Sequence, residues 1–158
     1  MLAIYLRDHH AAGVAGARVA RRLALARDAG AAELRRVASE IEQDLLSLEA
    51  IMLRLGVRPD RVKDGLSRVA ERLGRLKLNG RLTSRSPLSD LLEMETLVVG
   101  ITGKQALWVS LREIPSVNAE ELERLYGRAE DQRRVVESAR VEAAKRCFRS
   151  AHTPEKRA

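Results

Sequence analysis

The sequence predicts an all-α fold, a bundle of four long helices in a single domain. Three observations lead there. Aromatic residues make up only 3% of the 158, so the core has to be assembled from Leu, Val, Ile and Ala. Four prolines and few β-branched runs then favour helices over strands. Apolar residues also recur every three or four positions over stretches of about 25 residues, the spacing of one buried helix face. The length suits one ordinary domain with its own core. That domain is expected over residues 1–149, with a flexible tail over 150–158 that has no apolar periodicity.

The first helix is expected over 2–27. Leu2, Tyr5, Leu6, His9, Ala12, Gly13, Gly16, Ala20 and Leu23 mark its buried face, and Asp28-Ala29-Gly30 is its stop. The small residues Ala12, Gly13, Gly16, Ala17 and Ala20 read as a surface that lets a neighbouring helix approach closely. The second helix, 31–55, carries Leu34, Ala38, Ile41, Leu45, Leu48, Met52 and Leu55 in register and ends at Gly56. So short a link between two long amphipathic helices implies an antiparallel hairpin. A shorter helix over 59–76 starts on Pro59, with Val62, Leu66, Val69, Leu73 and Leu76 as its apolar edge. After a loop at Asn79-Gly80, Ser86-Pro87 restarts the chain as a capping residue followed by Pro at the first helical position. The third helix, 87–113, is apolar nearly all round and must be covered on more than one side; Pro115 breaks it. Asn118 with Glu121 three residues on resembles a capping box and opens the fourth helix, 119–149. Leu122, Leu125, Tyr126, Ala129, Val136, Ala139, Ala143 and Cys147 form its buried edge.

The net charge of +7 is unevenly placed. Between Arg54 and Arg85 ten basic residues stand against three acidic ones, which accounts for all of the excess. Cys147 is the only cysteine, so no internal disulfide can form and a reducing compartment is expected. Arg7, Asp8, His9 and His10 interrupt any signal-peptide core in the first 25 residues, and no stretch there approaches the ~20 apolar residues of a membrane span. A cytoplasmic protein without membrane contact is the expectation.

Hairpin, long connection, hairpin is the resulting layout. Residues 58–86 are long enough to cross a bundle, since a helix of about 25 residues is only ~38 Å long. This arrangement resembles the ferritin-like superfamily of four-helix bundles, in which one long crossover joins the second and third helices. The stretch "EIEQDLLSLEAIMLRLGV" (40–57) is also similar to the second helix of small bacterial ferritin-like proteins.

The resemblance implies a place to look for iron. Ferritin-like centres take a Glu from the first and third helices and Glu-x-x-His from the second and fourth, all near mid-bundle. Here the middle of the first helix is near Gly16. The second offers Glu40-x-x-Gln43 and Asp44, the fourth Arg128, Asp131 and Gln132, and none offers a histidine. His9 stands seven residues from Gly16, about 10 Å along the axis. Counting outward from the turn places it level with Glu49. Glu95 on the third helix falls toward the opposite end of the bundle. No metal or cofactor is therefore expected. His9 and Glu49 are the candidates for a weak iron or other divalent site, and a core histidine bonded to a carboxylate is the plainer reading. His10 is expected on a helix flank, and His152 in the tail.

"GITGKQ" (100–105) resembles the end of a phosphate-binding loop, but Val98 stands where its first Gly is needed, Gln105 follows Lys104, and no strand precedes it. Gly100 and Gly103 read instead as a close helix contact. No Ser/His/Asp or Cys/His set is present, and nothing activates Cys147. A catalytic role is thus not expected. Arg61, Arg68, Arg72 and Arg75 share one face of the 59–76 helix and would form a cationic ridge able to hold phosphates, or simply a solvated arginine face. Three functions stay open: a non-enzymatic scaffold or interaction module, with a homodimer through the third helix around Trp108 or a separate protein partner; a nucleic-acid or polyanion binder using that ridge; and a divergent metal protein.

Overall fold

A computed structural model describes residues 1–25, 31–59 and 87–151. Among the described residues there are four α-helices and no strand: α1 (Leu2–Leu25), α2 (Ala31–Arg54), α3 (Pro87–Leu111) and α4 (Ala119–Ala151). The expected stop at Asp28-Ala29-Gly30, the 59–76 helix beyond Pro59, the Ser86 cap and residues 152–158 of the expected tail lie outside the described residues, while 150 and 151, also expected in that tail, belong to α4.

Side-chain pairs along the helices fix their directions. Arg21 meets Glu42 and His10 meets Glu49, so α1 and α2 are antiparallel. Arg112 reaches Glu123 and Arg140 reaches Glu95, so α3 and α4 are antiparallel too. Tyr5 bonds to Ser110 and Arg22 to Glu93 between α1 and α3, while Arg54 pairs with Glu121 between α2 and α4. Every lateral neighbour therefore runs opposite to its partner, and α2 and α3, on a diagonal, run the same way. The chain leaves α2 at the end where α1 begins and re-enters at the start of α3, at the other end.

The core is built as the stripes demand. Leu6 and Leu23 of α1, Ile51 and Met52 of α2, Met94, Leu107 and Trp108 of α3, and Leu122 and Leu125 of α4 are all fully buried. On α1 the buried face is turned from the predicted one. It runs through Leu6, His10, Ala17, Ala20, Leu23 and Ala24, leaving Leu2 and Ala12 exposed. Of the small residues, Gly13 is a true point of close approach, because a Cβ there would lie 3.0 Å from Leu45 Cδ1. A Cβ on Gly16, Gly100 or Gly103 would meet nothing within 4 Å, so the close contacts expected at these three are absent.

Helix ends follow local chemistry. Gly56 adopts φ 69°, Val57 N–H donates to Met52 O at 2.8 Å, and Gly56 N–H donates to Leu53 O at 3.0 Å, a Schellman motif. Val57 and Met52, which that motif brings together, are both buried. α3 ends at Leu111 instead of the expected Glu113, and three successive i+3 bonds taper its last turn. Asn118 Oδ1 accepts the Glu121 N–H at 2.8 Å, which is the cap expected from sequence. The Glu121 carboxylate, however, goes to Arg54 on α2. The cap thus also ties two helices together.

An L side chain at φ 69° is strained, so Gly56→Ala should lower stability by about 1 kcal/mol. Urea unfolding should show a lower midpoint with an unchanged slope.

Candidate functional site

Near mid-bundle, the apolar stripes of three helices are each interrupted by a polar residue. On α2 it is Asp44, between Ile41 and Leu48; on α3, Lys104, between Ile101 and Trp108; on α4, Gln132, between Ala129 and Val136. Helix spacing keeps each of them on its core-facing side, and the three interruptions fall at one height near mid-bundle. Asp44 is 1% exposed and Gln132 fully buried.

The three side chains close on one another. Lys104 Nζ lies 2.5 Å from Asp44 Oδ2 and 2.5 Å from Gln132 Oε1. Gln132 Nε2 donates to Asp44 Oδ2 at 3.1 Å and to Glu40 Oε2 at 3.3 Å. The Arg128 guanidinium ion-pairs with Asp44 Oδ1 and donates from Nη1 to Gln43 Oε1 at 3.1 Å. Arg36 neutralises the outer oxygen of Glu40. The amide orientation of Gln132 follows from its neighbours: reversed, its NH2 would face the ammonium. Loss of water on burial pushes the Lys104 pKa below the ordinary 10.5, outweighing the opposite pull of Asp44.

This is the level at which the ferritin resemblance places iron, and the residues present do not fit it. A divalent ion there would stand beside both the Lys104 ammonium and the Arg128 guanidinium. At 4 Å and an effective dielectric near 20, a doubly charged ion and one such cation repel by about 8 kcal/mol. Among the described residues no group of three or more His, Cys, Asp or Glu could hold a metal ion.

The histidines are arranged differently from the sequence reading. His10, not His9, is buried against Glu49, its Nε2 lying 2.8 Å from Glu49 Oε1. The Nε2–H tautomer donates to the carboxylate there. His9 is half-buried and packs edge-on against Tyr5, ring centroids 4.5 Å apart. Burial lowers its pKa, with Asp8 pulling the other way. Glu49 thus meets the histidine one residue on from the expected His9, at nearly the same height but about 100° around the helix axis. His10 and Glu49 supply two donors, short of a closed metal site. Glu95 is on the surface beside Arg140, about eleven residues of helix rise, or ~16 Å, from the level of His9.

The stretch 100–105 is helix interior, and its lysine is engaged by Asp44 and Gln132. Arg61, Arg68, Arg72 and Arg75 lie outside the described residues. At the end of the bundle, Ile4, Tyr5, Asp8, Ser110, Leu111 and Ile114 line an open cleft of about 580 Å³. Trp108, expected at a dimer contact, is fully buried inside the chain's own core. What α3 offers outward is a different row: Leu88, Glu95, Val99, Thr102, Ala106 and Val109 are exposed, with Val99 70% and Val109 45% accessible.

No helix among the described residues is long and apolar enough to cross a membrane. Comparison with known proteins finds no matching family model, no matching curated protein and no matching solved structure.

Removing one partner of a buried ion pair strands the other, so Asp44→Ala should lower unfolding free energy by about 3–5 kcal/mol. Lys104 also sets a pH signature. Because its folded-state pKa is depressed, the unfolded chain holds that proton more firmly, and the group's contribution rises with pH between the depressed value and 10.5. Wild type should therefore gain stability relative to Lys104→Met as pH climbs through that alkaline window, measured by urea unfolding.

Proposed function

We propose that this protein is a non-enzymatic, ferritin-like helical interaction module, and that it self-associates through the outward face of α3. One observation carries the reading. Leu88, Leu92, Glu95, Val99, Thr102, Ala106, Val109 and Glu113 follow one another at alternating steps of four and three, the repeat of a helix that packs against a further helix. Most of its members are apolar and exposed, and only Glu95 is reached from α4, by Arg140. Gly100 and Gly103 sit beside its middle with open space over their Cα atoms, so a second backbone can come close.

The row also suits a second copy. Antiparallel pairing about its midpoint sets Val99 opposite Thr102, Glu95 opposite Ala106 and Leu92 opposite Val109, so no like charges meet and the symmetric partner needs no new surface. The ferritin-like assignment is supported by the parallel course of α2 and α3 and by the antiparallel course of all lateral neighbours. A metal-dependent role loses support from the two cations at mid-bundle.

Sedimentation velocity over a range of concentrations tests the reading. Wild type should show a dimer that dissociates on dilution, and the double substitution Val99→Lys, Val109→Lys should be monomeric with little change in thermal midpoint, both sites being exposed. A monomer for wild type at every concentration overturns the self-association.

A second reading, polyanion binding through Arg61, Arg68, Arg72 and Arg75, is favoured by the concentration of all net charge in residues 54–85. On that reading the double substitution Arg68→Glu, Arg72→Glu should elute from heparin at clearly lower salt than wild type. Unchanged elution sinks it.

A further inference from the structure

We propose that Asp44 and Gln132, braced by Glu40, form a cation site in the middle of the bundle, and that its resident ligand is the chain's own Lys104 ammonium, so that a small primary alkylammonium ion is the ligand class this site takes. The inference does not depend on the interaction reading above.

The argument starts from the direction of every polar group. Nζ of Lys104 faces two oxygens, one from α2 and one from α4, each at 2.5 Å. The Gln132 amide turns its oxygen to the ammonium and its NH2 to the two carboxylates, the orientation that a cation at the Nζ position imposes. Those oxygens do not need Lys104 to hold them in place. Arg128 and Gln132 anchor Asp44, Glu40 steadies Gln132, and Arg36 steadies Glu40. Lys104 alone comes from α3, on a four-carbon stem whose side chain keeps 15% of its surface accessible. An oxygen cradle belonging to two helices is therefore filled by a charge tethered to a third.

A tethered ligand differs from an ordinary packing contact in that it can be cut free and replaced. Lys104→Ala removes, beyond Cβ, a fragment equivalent to the n-propylammonium ion. The vacated stem path is partly open to solvent, and its inner end retains the Asp44 carboxylate. A free ion of that shape carries the three N–H donors and the charge that the cradle was built around. Its neutral counterpart, n-propanol, fills the same path but brings no charge to Asp44. A divalent metal has the charge but must approach Arg128.

The test is thermal unfolding of Lys104→Ala against added n-propylammonium chloride, n-propanol, or manganese chloride at matched ionic strength. Lys104→Ala should melt well below wild type, and propylammonium should raise its midpoint saturably, on the order of 5 °C near saturation. Propanol and Mn²⁺ should give much smaller rises, wild type should respond to none of the three, and Asp44→Asn placed in the Lys104→Ala background should abolish the rescue. If Lys104→Ala is unfolded in buffer, regain of helical circular dichroism on adding propylammonium reads the same outcome. Equal rescue by propanol would reduce the site to a packing cavity and overturn the proposal. So would failure of propylammonium to shift either the midpoint or the helicity. Stoichiometric Mn²⁺ binding by wild type that Asp44→Asn removes would overturn it as well, since the cradle would then take a metal with Lys104 in place.

Discussion

Three of the four helices are held at one height by a single ammonium group. Lys104 of α3 bonds to Asp44 of α2 and Gln132 of α4, and the carboxylate it meets is almost completely removed from water. Desolvating such charges costs several kcal/mol per ion, so the cluster adds little net stability over a well-packed apolar substitute. Its larger effect is on alignment. Sliding any of the three helices by one turn moves its polar residue about 5.4 Å and strands the other two in an apolar interior. Most of the remaining core is Leu, Val, Ile, Ala and Met, which pack acceptably in many registers. In such a core the polar layer adds a strong preference for one register over its neighbours.

The surrounding charges extend the same arrangement. Arg128 takes the second oxygen of Asp44, and Arg36 takes the second oxygen of Glu40, so two carboxylates and two cations face one another around the Gln132 amide, with Arg36 at the rim. Farther out, Arg22–Glu93, Arg54–Glu121 and Arg21–Glu42 join neighbouring helices at exposed positions, where each pair contributes at most about 1 kcal/mol. They agree with the register set inside rather than determine it.

Much of this was legible in the sequence. The ends of α2 and α3 and the start of α4 fall within two residues of where Gly56, Pro115 and Asn118 place them, because those signals act locally. The polar layer was legible too, in Asp44, Lys104 and Gln132 each standing where the three-four spacing calls for an apolar residue. Asp44 and Gln132 stand at mid-height by helix count, whereas Lys104 sits inside the phosphate-loop-like stretch 100–105, which disguises its place in the same layer. Rotation about the helix axis was less legible. His9 and His10 differ by 100° of turn, and a stripe as weakly marked as that of α1, with alanines and glycines on several sides, leaves the phase open by one residue. Small residues were ambiguous for the same reason: Gly13 meets Leu45, while Gly16, with the same local surroundings, meets open space. Trp108 shows the opposite failure, in which a large side chain on an all-apolar helix gives no hint of which way it faces.

That tryptophan has a practical consequence. It is the chain's sole indole and is wholly enclosed by the bundle's interior. Its emission should be blue-shifted in the intact fold and move toward longer wavelengths once solvent penetrates. Events confined to the outer surface should leave its spectrum nearly untouched, which makes the native molecule its own fluorimetric gauge of interior integrity, with no dye to attach.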